Sequence, residues 1–94
     1  MNNVILKITR LSKRTTGSYV MDIFKQLGVC EVSRIVMSRY YVDNKQYKRA
    51  TIHVARINDI EFFTKLANFG HAKIFHSDPH YWNIYLKSAN KIKE

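Results

Sequence analysis

Cysteine is nearly absent: Cys30 is the single one in 94 residues. One thiol cannot close an internal disulfide, which excludes a stapled secreted scaffold and suits a reducing compartment. Cys30 is expected to be a small buried hydrophobe rather than a reactive thiol. No apolar run approaches the ~18 residues needed to span a membrane. The opening Met-Asn-Asn-Val lacks the basic-then-apolar pattern of a secretory signal. The chain is therefore expected to be soluble and intracellular, with no membrane partner. Carboxylates are scarce and scattered, with seven Asp and Glu in all. No Gly-rich phosphate loop occurs, and the lone Cys has no base placed to activate it. Neither catalysis nor a cofactor nor a small-molecule substrate is expected. No linker, repeat or low-complexity block divides the chain, so residues 1–87 are expected to form one domain, with 88–94 as a frayed basic tail.

What the chain does have is positive charge and apolar bulk. Sixteen Lys and Arg against seven acids give a formal net charge of +9. A solubility surface would mix both signs. Here the cations cluster: Arg10, Lys13 and Arg14; Lys45, Lys48 and Arg49; Lys87, Lys91 and Lys93. Clustered basic charge on a small domain points to a polyanionic partner, nucleic acid before any other. Hydrophobic residues make up 46% and aromatics 13%, enough for a small core.

The organising stretch is Lys48-Arg-Ala-Thr-Ile-His-Val-Ala-Arg-Ile57. Ala50, Ile52 and Val54 alternate with Thr51 and His53, the period of a strand buried on one face. Val4, Leu6 and Ile8 alternate in the same way, predicting a first strand over 3–11. Thr15 or Thr16 offers an N-cap. Val20, Ile23, Phe24 and Leu27 then recur at helical spacing, predicting a helix over 17–27 that Gly28 ends as a left-handed cap. A second strand is expected over 31–41, turning at Asp43-Asn44-Lys45 into the central strand over 48–57.

Asn58 with Glu61 reads as a capping box for a second helix over 59–69. Its apolar side would be Ile60, Phe63, Leu66 and Ala67, widened by Phe62 and Phe69, and Gly70 would close it. Residues 72–75 could form a short strand, and Ser77-Asp78-Pro79-His80 a turn. Tyr81 to Leu86 alternate again, predicting a last strand over 81–87. The expected core is Ile8, Phe24, Leu27, Ile35, Ile52, Val54, Phe63 and Trp82. His71, His76 and His80 with Asp78 match neither a helix-borne His pair nor a Cys/His finger, so no metal site is expected.

Strand, helix, strand, strand, helix, strand is the order of the ferredoxin-like βαββαβ unit. This α+β fold has a four-stranded antiparallel sheet, two helices on one face and the other face open. On these elements the chain resembles an RNA recognition motif (RRM). Leu27-Gly-Val-Cys-Glu-Val-Ser-Arg-Ile35 and Ala72-Lys-Ile-Phe-His-Ser-Asp-Pro-His-Tyr-Trp82 further resemble small RRM-like proteins of large nucleocytoplasmic DNA viruses (giant viruses). That resemblance implies a viral protein acting in infected host cytoplasm or in the virion.

The RRM resemblance implies a hexapeptide at Leu6–Leu11 and an octapeptide at Arg49–Arg56. Their base-stacking aromatic positions hold Lys7, Thr51 and His53, while the leading basic Arg49 is kept. The expected function is binding of single-stranded RNA, rather than DNA, with weak sequence preference. The expected contacts are Lys7, Arg34, Lys45, Lys48, Arg49, Thr51, His53 and Tyr85, on the open sheet face and the hairpin between the second and third strands. The alternative is a protein–protein interaction module of a viral complex that reuses the fold.

Overall fold

The computed structural model describes residues 4–77 and 80–88 of the chain. Local chemistry sets most boundaries. Thr16 caps the first helix, its hydroxyl accepting from the Tyr19 amide at 3.1 Å, and α1 runs Gly17–Leu27. Gly28 ends it at φ 70°, a left-handed conformation that costs glycine nothing. Asp43 and Asn44 both take positive φ, 52° and 67°. Two such residues in succession make the two-residue hairpin turn whose twist matches the flanking strands. They join β2 (Cys30–Val42) directly to β3 (Lys45–Ile57). Lys45, expected within the turn, is already the first residue of β3.

The second helix, α2 (Ile60–Phe69), starts one residue later than expected. Its cap is Asp59, whose carboxylate accepts from the Phe62 amide at 3.1 Å, so Asn58–Glu61 is not the capping box. Asn58 instead ties the chain backwards, its side-chain amide donating to the Gly28 carbonyl and its backbone amide to that of Val29. Gly70 closes α2 at φ 87°.

The remaining strands are β1 (Val4–Ser12), β4 (His71–Ser77) and β5 (His80–Ser88). The sheet is antiparallel with order β2-β3-β1-β5-β4. The element order is thus βαββαββ, and the expected four-stranded βαββαβ is corrected by one strand. The short strand allowed for 72–75 lengthens to 71–77 because it pairs with β5, Ala72 facing Ile84 and Ile74 facing Trp82. Of the turn expected over Ser77–His80, Ser77 ends β4 and His80 begins β5 as its register partner. Ser88, expected in the tail, is the last residue of β5; Asp78, Pro79 and residues 89–94 lie outside the described residues. Among the described residues no helix is long and apolar enough to cross a membrane.

One face of the sheet makes the core. Val4, Leu6 and Ile8 of β1, Ala50, Ile52 and Val54 of β3, Ile74 of β4, and Trp82 and Ile84 of β5 are buried with Val20, Ile23 and Phe24 of α1 and with Phe63 and Leu66 of α2. Both helices feed this single cluster, so both cover the same face. A bulge in β1 keeps Leu11 in it. Ile8 pairs with Ala50 and Leu11 with Lys48, which sets two residues, Thr9 and Arg10, against the single Arg49.

Apolar expectations fail at the helix ends and are only partly met on the edge strand. Leu27 is 39% exposed, because it closes the helix beside the Gly28 cap and the chain turns inward only at Val29 and Cys30. In α2 the buried stripe narrows to the mid-helix pair Phe63 and Leu66, leaving Ile60, Ala67 and Phe69 exposed. Ile35 is half-buried, packed against the cluster from the edge strand β2.

Candidate nucleic-acid interface

Side chains alternate across a strand, so burial of one set places the other set on the uncovered face. Cross-strand partners share a face, and the register therefore maps that surface row by row. One row crosses all five strands: Val36, Thr51, Lys7, Tyr85 and His71, each the register partner of the next. Beside it Arg34 pairs with His53, and His53 with Ile5. On the other side Ser38 pairs with Arg49, then Tyr40 with Tyr47. On β4 and β5, Lys73 pairs with Asn83 and Phe75 with Tyr81.

Of the sequence-derived candidates, Lys7, Arg34, Arg49, Thr51, His53 and Tyr85 come together on this open face. Lys45 stands at the hairpin tip, paired with Val42. Lys48 does not join them. It is one step from Arg49 and therefore on the helix-covered side, across from the buried Leu11, and its ammonium donates to the Thr15 carbonyl at 2.9 Å. That bond ties β3 to the loop entering α1.

Apart from Tyr85, sequence reasoning missed the aromatic part of the face. The three positions that the RRM resemblance implied for stacking hold Lys7, Thr51 and His53, yet aromatics enter from elsewhere along the strands. Tyr40 and Tyr47 lie with ring centroids 5.8 Å apart, Phe75 and Tyr81 5.4 Å, and His71 and Tyr85 5.9 Å. Three cations lie over tyrosine rings: Arg49 over Tyr40 at 4.4 Å, Lys73 over Tyr81 at 4.7 Å and Arg10 over Tyr47 at 5.2 Å. The Tyr40 hydroxyl donates to the Thr9 carbonyl, which pins that ring against the sheet.

The Tyr40–Tyr47 pair was legible. Positions equidistant from a two-residue turn at 43–44 pair with each other, and Tyr47 is an even number of steps from Thr51. Arg10 was not legible, because only the bulge sets it beside Tyr47.

Among the described residues no carboxylate compensates the charge on this face. Glu31 is held by Arg56 at 2.6 Å, and Glu61 pairs with Lys65 along α2 at 3.8 Å. Asp43 is in the hairpin turn and Asp59 caps α2. None of these carboxylates stands in the open-face rows, where Lys7, Arg34, Arg49 and Lys73 do.

Two further clefts lie off this face. One of about 580 Å³ sits where the β2–β3 hairpin runs past the end of β1, between Lys13, Lys45, Tyr41 and Tyr47. The other, of about 270 Å³, lies beside Cys30 and Asn58. Burial pushes the Cys30 thiol up to about 11, which leaves it protonated and unreactive at neutral pH. Among the described residues no three His, Cys, Asp or Glu side chains gather to hold a metal ion. The His76 side chain and Asp78 lie outside the described residues.

Compared with known protein families, with curated proteins and with solved structures, the chain matches none.

Proposed function

We propose that this chain is an RRM-like, ferredoxin-like module that binds single-stranded RNA across its open sheet face, with weak sequence preference. One observation carries the reading. Cations and aromatic rings are interleaved there in contact, Arg49 on Tyr40, Arg10 on Tyr47 and Lys73 on Tyr81, with no carboxylate of the described residues among them. Single strands are bound by that combination, cations following the phosphates and rings stacking on bases, whatever the sequence. Exposed bases favour RNA loops and single strands over duplexes, whose bases are already stacked. In this reading β4 is an addition to the four-stranded unit that widens the platform with Lys73 and Phe75. On this reading the resemblance of stretches 27–35 and 72–82 to small RRM-like proteins of giant viruses, which rests on the sequence alone, fits a role in infected host cytoplasm or in the virion.

A second reading has its own observation. Val36, Phe75 and Tyr81 are exposed at 45%, 57% and 43% on that same face, and apolar rings serve protein docking as well as stacking. The two readings differ in salt dependence. Fluorescence anisotropy with labelled single-stranded RNA of random sequence, at low and moderate salt, separates them. RNA binding predicts that log K falls with log salt at about 0.7 per phosphate contacted. Affinity that stays at background at low salt would end the RNA reading and favour a protein partner.

A further inference from the structure

One polar atom beside this face has no explanation in the fold. The side-chain oxygen Oδ1 of Asn83 is closed off from solvent and accepts no hydrogen bond. A buried acceptor without a donor is costly and uncommon in native structures, where such a group is usually met by protein, water or a ligand. Asn83 lies on β5, paired with Lys73 of β4 and neighbouring the β1 bulge. It forms one wall of a cleft of about 230 Å³ whose other walls are Thr9, Arg10, Tyr81 and Trp82. Sites for whole drug-sized ligands occupy roughly 300–1,000 Å³, so this cleft suits a single planar ring. Oδ1 itself is sealed behind this lining, and Arg10 and Tyr81, exposed long side chains at the rim, must turn aside before a ring can reach it.

Building on the RNA reading, we propose that this cleft is a subsite for one unstacked base carrying an exocyclic amine, whose N–H donates to Asn83 Oδ1. The ring stacks against Tyr81, and the guanidinium of Arg10 lies over the adjoining phosphate. An exocyclic amine projects beyond the ring edge and reaches a recessed acceptor. Uracil offers only a ring N–H set between two carbonyl oxygens, and these would meet Asn83 Oδ1 acceptor against acceptor. An asparagine amide matches adenine particularly well, because it can accept from N6 and donate to N7 together. The subsite gives an otherwise sequence-tolerant surface one position of preference.

The probes are short labelled oligouridylates, unmodified or with one central residue replaced by A, by C or by N6,N6-dimethyladenosine. The dimethylated base keeps the ring and its stacking but has no N–H to donate. In anisotropy at low salt, a single A or C is expected to raise affinity about 5–10-fold over all-U, the size of one net hydrogen bond. The dimethylated base should return it to the all-U value. Asn83→Ala should erase the advantage of A and C while leaving all-U affinity and its salt slope unchanged.

Equal affinity of wild type for all four probes, or an advantage retained by dimethyladenosine, overturns the subsite and leaves general RNA binding standing. Failure of every probe to bind overturns the RNA reading and the subsite with it. The dimethyladenosine arm uses the unaltered protein, so it decides the question even if Asn83→Ala does not fold.

Discussion

The two faces of the sheet are made from the same strands, one residue apart, and obey different rules. On the covered face Leu6, Ile8, Ala50, Ile52 and Ile84 are essentially inaccessible to water, and their worth lies in apolar area removed from it. On the open face Lys7, Thr51 and Tyr85 stand on the same three strands, half-buried by their neighbours and otherwise solvated. Close packing fixes each covered residue by its volume. The open face is expected to tolerate substitution for folding, since its side chains rest on one another and remain partly solvated. Lys48 and Arg49 put the contrast into two consecutive residues. The first ends on a carbonyl beside α1, the second on a tyrosine ring of the open face.

That contrast can be broken from either side, and the largest effect belongs to the covered one. Phe24→Ala empties a fully buried position and is expected to cost about 3–5 kcal/mol. For a domain of this size that lowers Tm by well over 10 °C, at roughly 4–8 °C per kcal/mol. Thermal melts followed by circular dichroism read it, and a shift of a degree or two would remove Phe24 from the core.

Next in size are the rings of the open face. Tyr47→Ala and Tyr81→Ala should each weaken single-stranded RNA binding by about 1–3 kcal/mol, the worth of a stacked base. Their melts should stay close to wild type. Unchanged affinity in both would show that these rings are not a platform.

The smallest effects are the most discriminating. Arg49→Gln should weaken binding of all sequences alike and flatten the salt slope by about 0.7, one phosphate contact on a single strand. Lys48→Gln, one residue away, should leave that slope untouched and cost only a modest amount of stability through the lost bond to Thr15. Equal slopes for the two variants would mean that the two faces do not divide binding from folding as described.

Much of this division could be read from the chain. The alternation of Ala50, Ile52 and Val54 against Thr51 and His53 places those residues correctly, because a period of two translates directly into two faces. Both glycine caps and the turn at Asp43-Asn44 follow from local backbone energetics and need no partner to be foreseen. The failures occur where the neighbouring element decides. Leu27, Ile60 and Phe69 have the spacing of core residues, yet they sit at helix ends that the sheet does not reach. Asp59 displaces Asn58 as a cap because Asn58 is engaged with the Gly28 turn.

By itself, then, the sequence determined the position of four strands and both helices, where the two helices end, the sign of the charge and most of the core, since each follows from periodicity, capping chemistry and composition along a few consecutive residues. Tertiary structure alone decided the rest. It lengthened the short strand read at 72–75 to 71–77 by pairing it with β5, which made the sheet five-stranded. It inserted the bulge that carries Arg10 to Tyr47, turned Lys48 away from Arg49, and closed a cleft around an acceptor without a donor. Each of these depends on what lies across the sheet, at separations along the chain that no local pattern records.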